Sequence, residues 1–199
     1  GDELRVGLVN AQLLAGLITW LSSDVLEMEV RLDQPPPPAL PVTLLMALPR
    51  PKSLKKVLQA ATAMGVKRIV MMATWRVEKS FWDSPVLHPD ALREQMVLGL
   101  EQARDTVPEI TLWQRFKPFV EDEVRGLARA TCALLAHPPA SQPCPRAVRG
   151  PVTLAVGPEG GFIPYEVALL QAHGFEAVSL GVRSLRVEHA VPALLARLF

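Results

Sequence analysis

Six short apolar runs after Pro41 constrain this chain more than any other feature. They are TLLMAL (Thr43 to Leu48), VKRIVMMAT (Val66 to Thr74), EITLWQRF (Glu109 to Phe116), TCALLAHP from Thr131, TLAVGPEGG from Thr153 and AVSLGV from Ala177. Their apolar cores are too short for helices and too continuous for strands with one wet face. Stretches with helical spacing separate most of them: Ser53 to Gly65, His88 to Arg104, Phe119 to Ala130, Pro164 to His173 and about Val187 to Phe199. In the first, Ser53 stands at an N-cap position, Leu54, Val57, Leu58 and Ala61 share a face, and Gly65 closes the end. Buried strands alternating with helices predict an α/β fold, a parallel sheet covered on both faces.

The first residues obey a different period. Val25, Glu27, Glu29 and Arg31 alternate with Leu26, Met28, Val30 and Leu32, the pattern of a half-buried antiparallel sheet. The segment DQPPPPALP follows, and four consecutive prolines continue neither helix nor strand. The division is a β domain over 1–34, a proline linker over 35–41 and an α/β domain over 42–199. The chain opens on GDELRVG, strand-like and without Met, so the β domain is expected to be N-terminally incomplete.

Composition narrows the classes. At 199 residues, 49% hydrophobic and 21% charged, the chain has the balance of a folded globular protein, and its net charge of +1 neither demands nor excludes nucleic acid. No apolar run approaches the ~20 residues of a membrane span. Two cysteines and four histidines show no metal-ligand spacing, so no metal is expected, and a cytoplasmic location is the default.

The chemistry concentrates at strand ends. In parallel α/β sheets, ligands sit beyond the carboxyl ends of the strands. Gly157, Gly160, Gly161 and Gly181 all fall there, as does His137-Pro138. Each glycine alone is explained by positive φ in a tight turn. As a set, with prolines, arginines and a glutamate around it, they predict a small-molecule site. The spacing is neither the dinucleotide fingerprint nor a phosphate loop, and no Lys follows GPEGG, which excludes a nucleotide triphosphatase of that type.

From Leu154 to Leu198, LAVGPEGGFIPYEVALLQAHGFEAVSLGVRSLRVEHAVPALLARL resembles the C-terminal signature of the RsmE-type 16S ribosomal RNA methyltransferases. LPRPKSLKKVLQAATAMGVKRIV and EQARDTVPEI resemble that family's other shared segments. The chain departs from the family pattern at Val182, Ser184 and His189, and His189 reads as an exposed helix residue.

The resemblance implies a SPOUT-type trefoil-knotted parallel-sheet domain behind a small PUA-like β-barrel, a homodimer, and methylation of uridine N3 in 16S rRNA of the small ribosomal subunit with S-adenosylmethionine. It assigns the cofactor to Leu135, Ala136 and His137, to Gly157, Glu159, Gly160 and Gly161, and to Leu180, Gly181, Ser184, Leu185 and Arg186. Glu159 reads equally as a structural carboxylate beside a helix N-terminus. The reaction needs a cation for the charge developing on uracil and an acceptor for its N3 proton. Arg186 is the candidate cation. Glu188 is the candidate base or orienter, with a first-turn helix glutamate as the alternative, and Arg104 is a further catalytic candidate. Arg50, Lys52, Arg76, Glu101, Gln102 and Arg183 are the candidate RNA contacts, and Trp75, Phe81 and Trp82 could stack on bases. Two other readings stay open: an RNA-binding module without turnover, and a methyltransferase acting elsewhere on RNA.

Overall fold

The computed structural model describes residues 3–7, 13–103 and 105–199. Three antiparallel strands come first, in the order β1 (Glu3–Gly7), β2 (Leu13–Leu21) and β3 (Leu26–Gln34). The β2–β3 turn is closed by Ser22, whose hydroxyl accepts the Val25 N–H at 3.0 Å. The four prolines then run as coil into the next strand.

Six parallel strands form the main sheet: β4 (Val42–Ala47), β5 (Arg68–Met72), β6 (Glu109–Trp113), β7 (Cys132–Ala136), β8 (Val152–Val156) and β9 (Glu176–Val178). Their spatial order is β6-β5-β4-β8-β7-β9. Register explains the continuous hydrophobicity. The row Ile69, Leu44, Leu154 and Leu134 packs into the core on one face. The next row, Val70, Leu45, Ala155 and Leu135, packs into a second core on the other. Each buried leucine contributes roughly 1.5–3 kcal/mol.

Helices cover both faces. The first core takes α1 (Pro51–Ala63) and α6 (Val187–Leu198), through Leu54, Val57, Leu58, Val191, Leu194 and Leu195. Helix α2 (Pro89–Ala103) lies on α1, and an added Cβ at Gly99 would stand 2.6 Å from the Gln59 carbonyl oxygen, so glycine permits that close approach. The second core takes Leu170 of α5 (Pro164–Ala172), together with Phe119 and Val124. These belong to a helical segment made of α3 (Phe116–Phe119), a π-helical stretch Val120–Val124 and α4 (Arg125–Ala128).

Three expectations change. Helix α1 begins two residues before Ser53: Arg50 is the N-cap and Pro51 occupies the first turn, where its missing N–H costs nothing. The helix expected over Phe119 to Ala130 starts at Phe116 and stops at Ala128, ahead of Ala130 at φ 59. The last strand ends at Val178, leaving Ser179 to Arg186 as a loop.

That loop is laced to the β7–β8 connection. Ser179 donates its N–H to Gln142 O at 2.9 Å and accepts the Cys144 N–H at 2.8 Å. The Val148 N–H reaches Leu198 O at 2.7 Å, and Arg197 Nε donates to Cys144 O at 2.5 Å. Among the described residues, no helix is long and apolar enough to cross a membrane.

Candidate active site

The neighbouring strands β8, β7 and β9 end at Val156, Ala136 and Val178. Because all three are parallel, their carboxyl ends open on one side, around a cavity of about 460 Å³. The first wall is Ala136, His137 and the two following prolines; the second is the turn from Gly157 to Phe162; the third is the loop from Ser179 to Arg186. Eleven of the twelve residues expected to hold the cofactor line this space; Leu135 does not. It is fully buried one residue inside β7, where its side chain belongs to the sheet core.

Two glycines have separate reasons to be there. A Cβ at Gly157 would meet the Phe162 ring at 3.0 Å, so the turn folds tightly over its own aromatic residue. At Gly181 an added Cβ meets nothing within 4 Å, but φ is +116, a backbone that side-chain-bearing residues rarely adopt.

Glu159 is engaged with the scaffold. Its Oε1 accepts the Arg50 N–H at 3.0 Å, which ties the second wall to the start of α1. Glu166 is a further site residue, outside the expectations from sequence. It is almost fully buried; its Oε1 accepts the Trp75 N–H at 2.7 Å and its Oε2 accepts the Ile163 N–H at 2.9 Å. A glutamate at the third position of a helix, just after proline, is the available signal, since such a residue reaches back to free N–H groups. Through Glu166, the loop after β5 is fixed against the GPEGG turn. Arg76 on that loop lines the cavity and donates through Nη1 to Gly160 O.

The remaining candidates divide. Arg183 and Arg186 line the cavity and are exposed. Arg50 and Lys52 sit at the same carboxyl edge, at the start of α1, both exposed. Glu188 is not brought to the cavity. It is buried in the first turn of α6, where its own backbone N–H holds the carboxyl below the usual carboxylate range. Burial opposes that shift, while the Ser53 hydroxyl, Lys56 and His189 assist it. Its surroundings are therefore α1 and its own helix end, and its Oε2 is buried without a hydrogen-bond partner among the described residues; His189 is exposed, as expected.

Glu101 and Gln102 are also elsewhere. Helix α2 runs toward the amino edge of the sheet, and Asp105, just beyond it, pairs with Lys67 at 2.6 Å ahead of β5. Both residues stand in the last turn of that helix, at the sheet edge opposite the cavity. Arg104 lies outside the described residues.

Half-buried His137 donates its backbone N–H to Val178 O, and burial pushes its imidazole below the ordinary value of 6.5. The first wall is accordingly neutral. Among the described residues, no group of three or more His, Cys, Asp or Glu could hold a metal ion. A cavity of this size, walled by backbone, small residues and a neutral imidazole, suits a compact organic ligand with a polar end.

A family described as the RNA methyltransferase domain matches residues 36–199. The chain belongs to that family. The matched RNA methyltransferase domain contains the whole six-stranded sheet and every wall of the cavity. Ribosomal RNA small subunit methyltransferase E of Treponema pallidum (strain Nichols) is 32% identical over 161 residues, covering 78% of this chain and 60% of that relative. The chain thus spans about three fifths of that relative's length. Among solved structures, ribosomal RNA small subunit methyltransferase E from Neisseria gonorrhoeae, bound to S-adenosyl methionine, superposes with a TM-score of 0.77 at 21% identity. That match covers 98% of this chain and 81% of the other. The SpoU methyltransferase AviRb from Streptomyces viridochromogenes gives 0.54 at 16% identity over 77% of this chain and 56% of its own. The α/β architecture of this RNA methyltransferase domain is therefore shared with these two structures.

Proposed function

We propose that this chain transfers a methyl group from S-adenosylmethionine to N3 of a uridine in 16S rRNA of the small ribosomal subunit. The observation that carries the reading is the backbone-walled cavity at three neighbouring strand ends with Arg76, Arg183 and Arg186 on it. The relative from Treponema pallidum bears the name of such an enzyme, and the neighbour from Neisseria gonorrhoeae has that cofactor bound.

Ala136, His137, Gly157, Gly160, Gly161, Leu180, Gly181, Ser184 and Leu185 are the residues that would hold the cofactor. When bound, it supplies a methyl group activated on a sulfonium sulfur. The methyl carbon–sulfur bond breaks as the carbon–N3 bond forms, and the N3 proton leaves. Arg186 offers a fork of N–H donors to the charge on the uracil oxygens flanking N3. With Glu188 turned toward α1 and Glu159 held by Arg50, water takes the proton. A neutral His137 keeps a positive charge away from the sulfonium.

The same reading takes the three antiparallel strands as part of a PUA-like RNA-binding domain joined by the proline segment. It takes the lacing of Ser179 to Gln142 and Cys144 as part of a trefoil knot, and the working state as a cytoplasmic homodimer. One observation favours a second reading, an RNA-binding module without turnover: among the described residues the cavity holds no uncommitted carboxylate. Incubating the protein with S-adenosylmethionine and small-subunit rRNA, then mapping methylated nucleotides by mass spectrometry, separates the two. A single N3-methyluridine supports the enzyme; RNA binding without methylation supports the module.

A further inference from the structure

We infer that Trp75, next in sequence to the cavity-lining Arg76, is a stacking platform for an unpaired base of the RNA strand. This rests on the RNA-directed function proposed above. The indole is 80% exposed, an unusual placement for the largest apolar side chain in the alphabet. Its backbone is fixed. The Trp75 N–H is held by the buried Glu166 carboxylate at 2.7 Å, Thr74 before it is buried, and Arg76 after it is hydrogen-bonded to Gly160 O. Tyr165, which precedes Glu166 in sequence, is 52% exposed.

Neither ring belongs to the aromatic pairs of the described residues, which are Trp113–Phe119 and Phe116–Phe162. An anchored, exposed indole therefore stands one residue from Arg76, which lines a cavity carrying three arginines. Its one carboxylate, on Glu159, already takes the Arg50 N–H. Exposed aromatic faces next to cations match a single strand of nucleic acid, whose bases present π-faces and whose phosphates present charge.

The test measures affinity for a single-stranded, uridine-rich RNA oligomer using the full chain. Trp75→Ala should weaken binding about 5- to 100-fold, the range for losing one base–aromatic stack. Trp75→Phe should restore most of that loss, whereas Trp75→Leu, apolar but without a π-face, should not. Indole fluorescence quenching on RNA addition should shrink in Trp75→Phe, and calorimetric affinity for S-adenosylmethionine should be unchanged in all three variants. Unchanged RNA affinity in Trp75→Ala, equal rescue by Leu and Phe, or conversion of a dimer to monomers by Trp75→Ala in sedimentation would each overturn the platform. Wild-type protein that binds the oligomer but methylates no rRNA would count against the proposed activity and leave the platform standing.

Discussion

The Glu159 carboxylate accepts the backbone N–H of Arg50 at 3.0 Å, joining residues 109 positions apart in sequence. The bond pins the GPEGG turn to the first turn of α1, where N–H groups are free and a negative charge is favoured. Glu159→Ala removes the pin. Because both residues are exposed, the expected loss of stability is small, about 1 kcal/mol or less. Affinity for S-adenosylmethionine should fall more than the melting temperature suggests, since the released turn is a cavity wall. Glu159→Gln keeps an acceptor and should retain most of the affinity. Calorimetry on both variants checks this; equal losses would make the negative charge, not the tether, the important property.

Gly181 tests the third wall. Its φ of +116 costs a side-chain-bearing residue roughly 1–3 kcal/mol, although space for a Cβ is free. Gly181→Ala should therefore redirect the Leu180–Leu185 loop and reduce cofactor affinity while the sheet stays folded. Gly126→Ala is the control: it also meets nothing within 4 Å, but its φ is negative and it lies in α4, so alanine should be neutral or slightly stabilising. Circular dichroism and titration calorimetry separate the outcomes. If Gly181→Ala binds the cofactor normally, the loop does not form that wall.

His137 makes affinity depend on pH. Burial disfavours its charged form, so its value when folded lies below the 6.5 of an exposed imidazole. Between those two values the unfolded chain binds the proton more readily, so stability falls as pH drops through the window and recovers as pH rises. A protonated ring would also repel a sulfonium cation. Affinity for S-adenosylmethionine should decline as pH falls below about 6.5, and S-adenosylhomocysteine, without the sulfonium charge, should decline less. His137→Gln should flatten the difference between the two ligands. Parallel titrations from mildly acidic to neutral pH provide the check.

How much of this was readable in advance depended on whether the information was local. The six strands were legible because a sheet buried on both faces writes itself as unbroken apolar runs, as in Leu44-Leu45-Met46. The cavity was legible because its walls follow strand ends in sequence. Helix starts were less so: Ser53 is a good cap in isolation, but Pro51 lets the helix begin earlier. Glu188 was ambiguous because a helix-end carboxylate and one facing a ligand read alike in sequence, and its neighbours Ser53 and Lys56 on α1 emerge only in the fold. The placement of Glu101 and Gln102 was hidden for a related reason. Residue types suggested chemistry, but the direction of α2 sets them at the opposite edge of the sheet. Glu166 remained hidden because its two partners, Trp75 and Ile163, come from separate segments.

Arg186 is the residue on which the proposed chemistry turns. It is the N-cap of α6 and its carbonyl accepts the His189 and Ala190 N–H groups at 2.9 and 2.8 Å, so its backbone is fixed. Its guanidinium is exposed at the cavity, outside every ion pair of the described residues, whereas that of Arg76 is committed to Gly160 O. A fixed base carrying a free guanidinium suits a donor to charge that appears only during the reaction. Losing one such donor typically costs about 2.7–4 kcal/mol, or roughly 10²–10³ in rate. Arg186→Ala should keep cofactor affinity within a few-fold and lose single-turnover methyl transfer by that factor. Arg186→Lys should recover little, because an ammonium cannot copy the planar fork. Glu188→Gln in the same assay should leave the pH–rate profile unchanged, since its carboxylate faces α1. Near wild-type single-turnover rates in Arg186→Ala would remove this residue from the reaction and transfer its role to another cation at the cavity, with Arg183 the next to test.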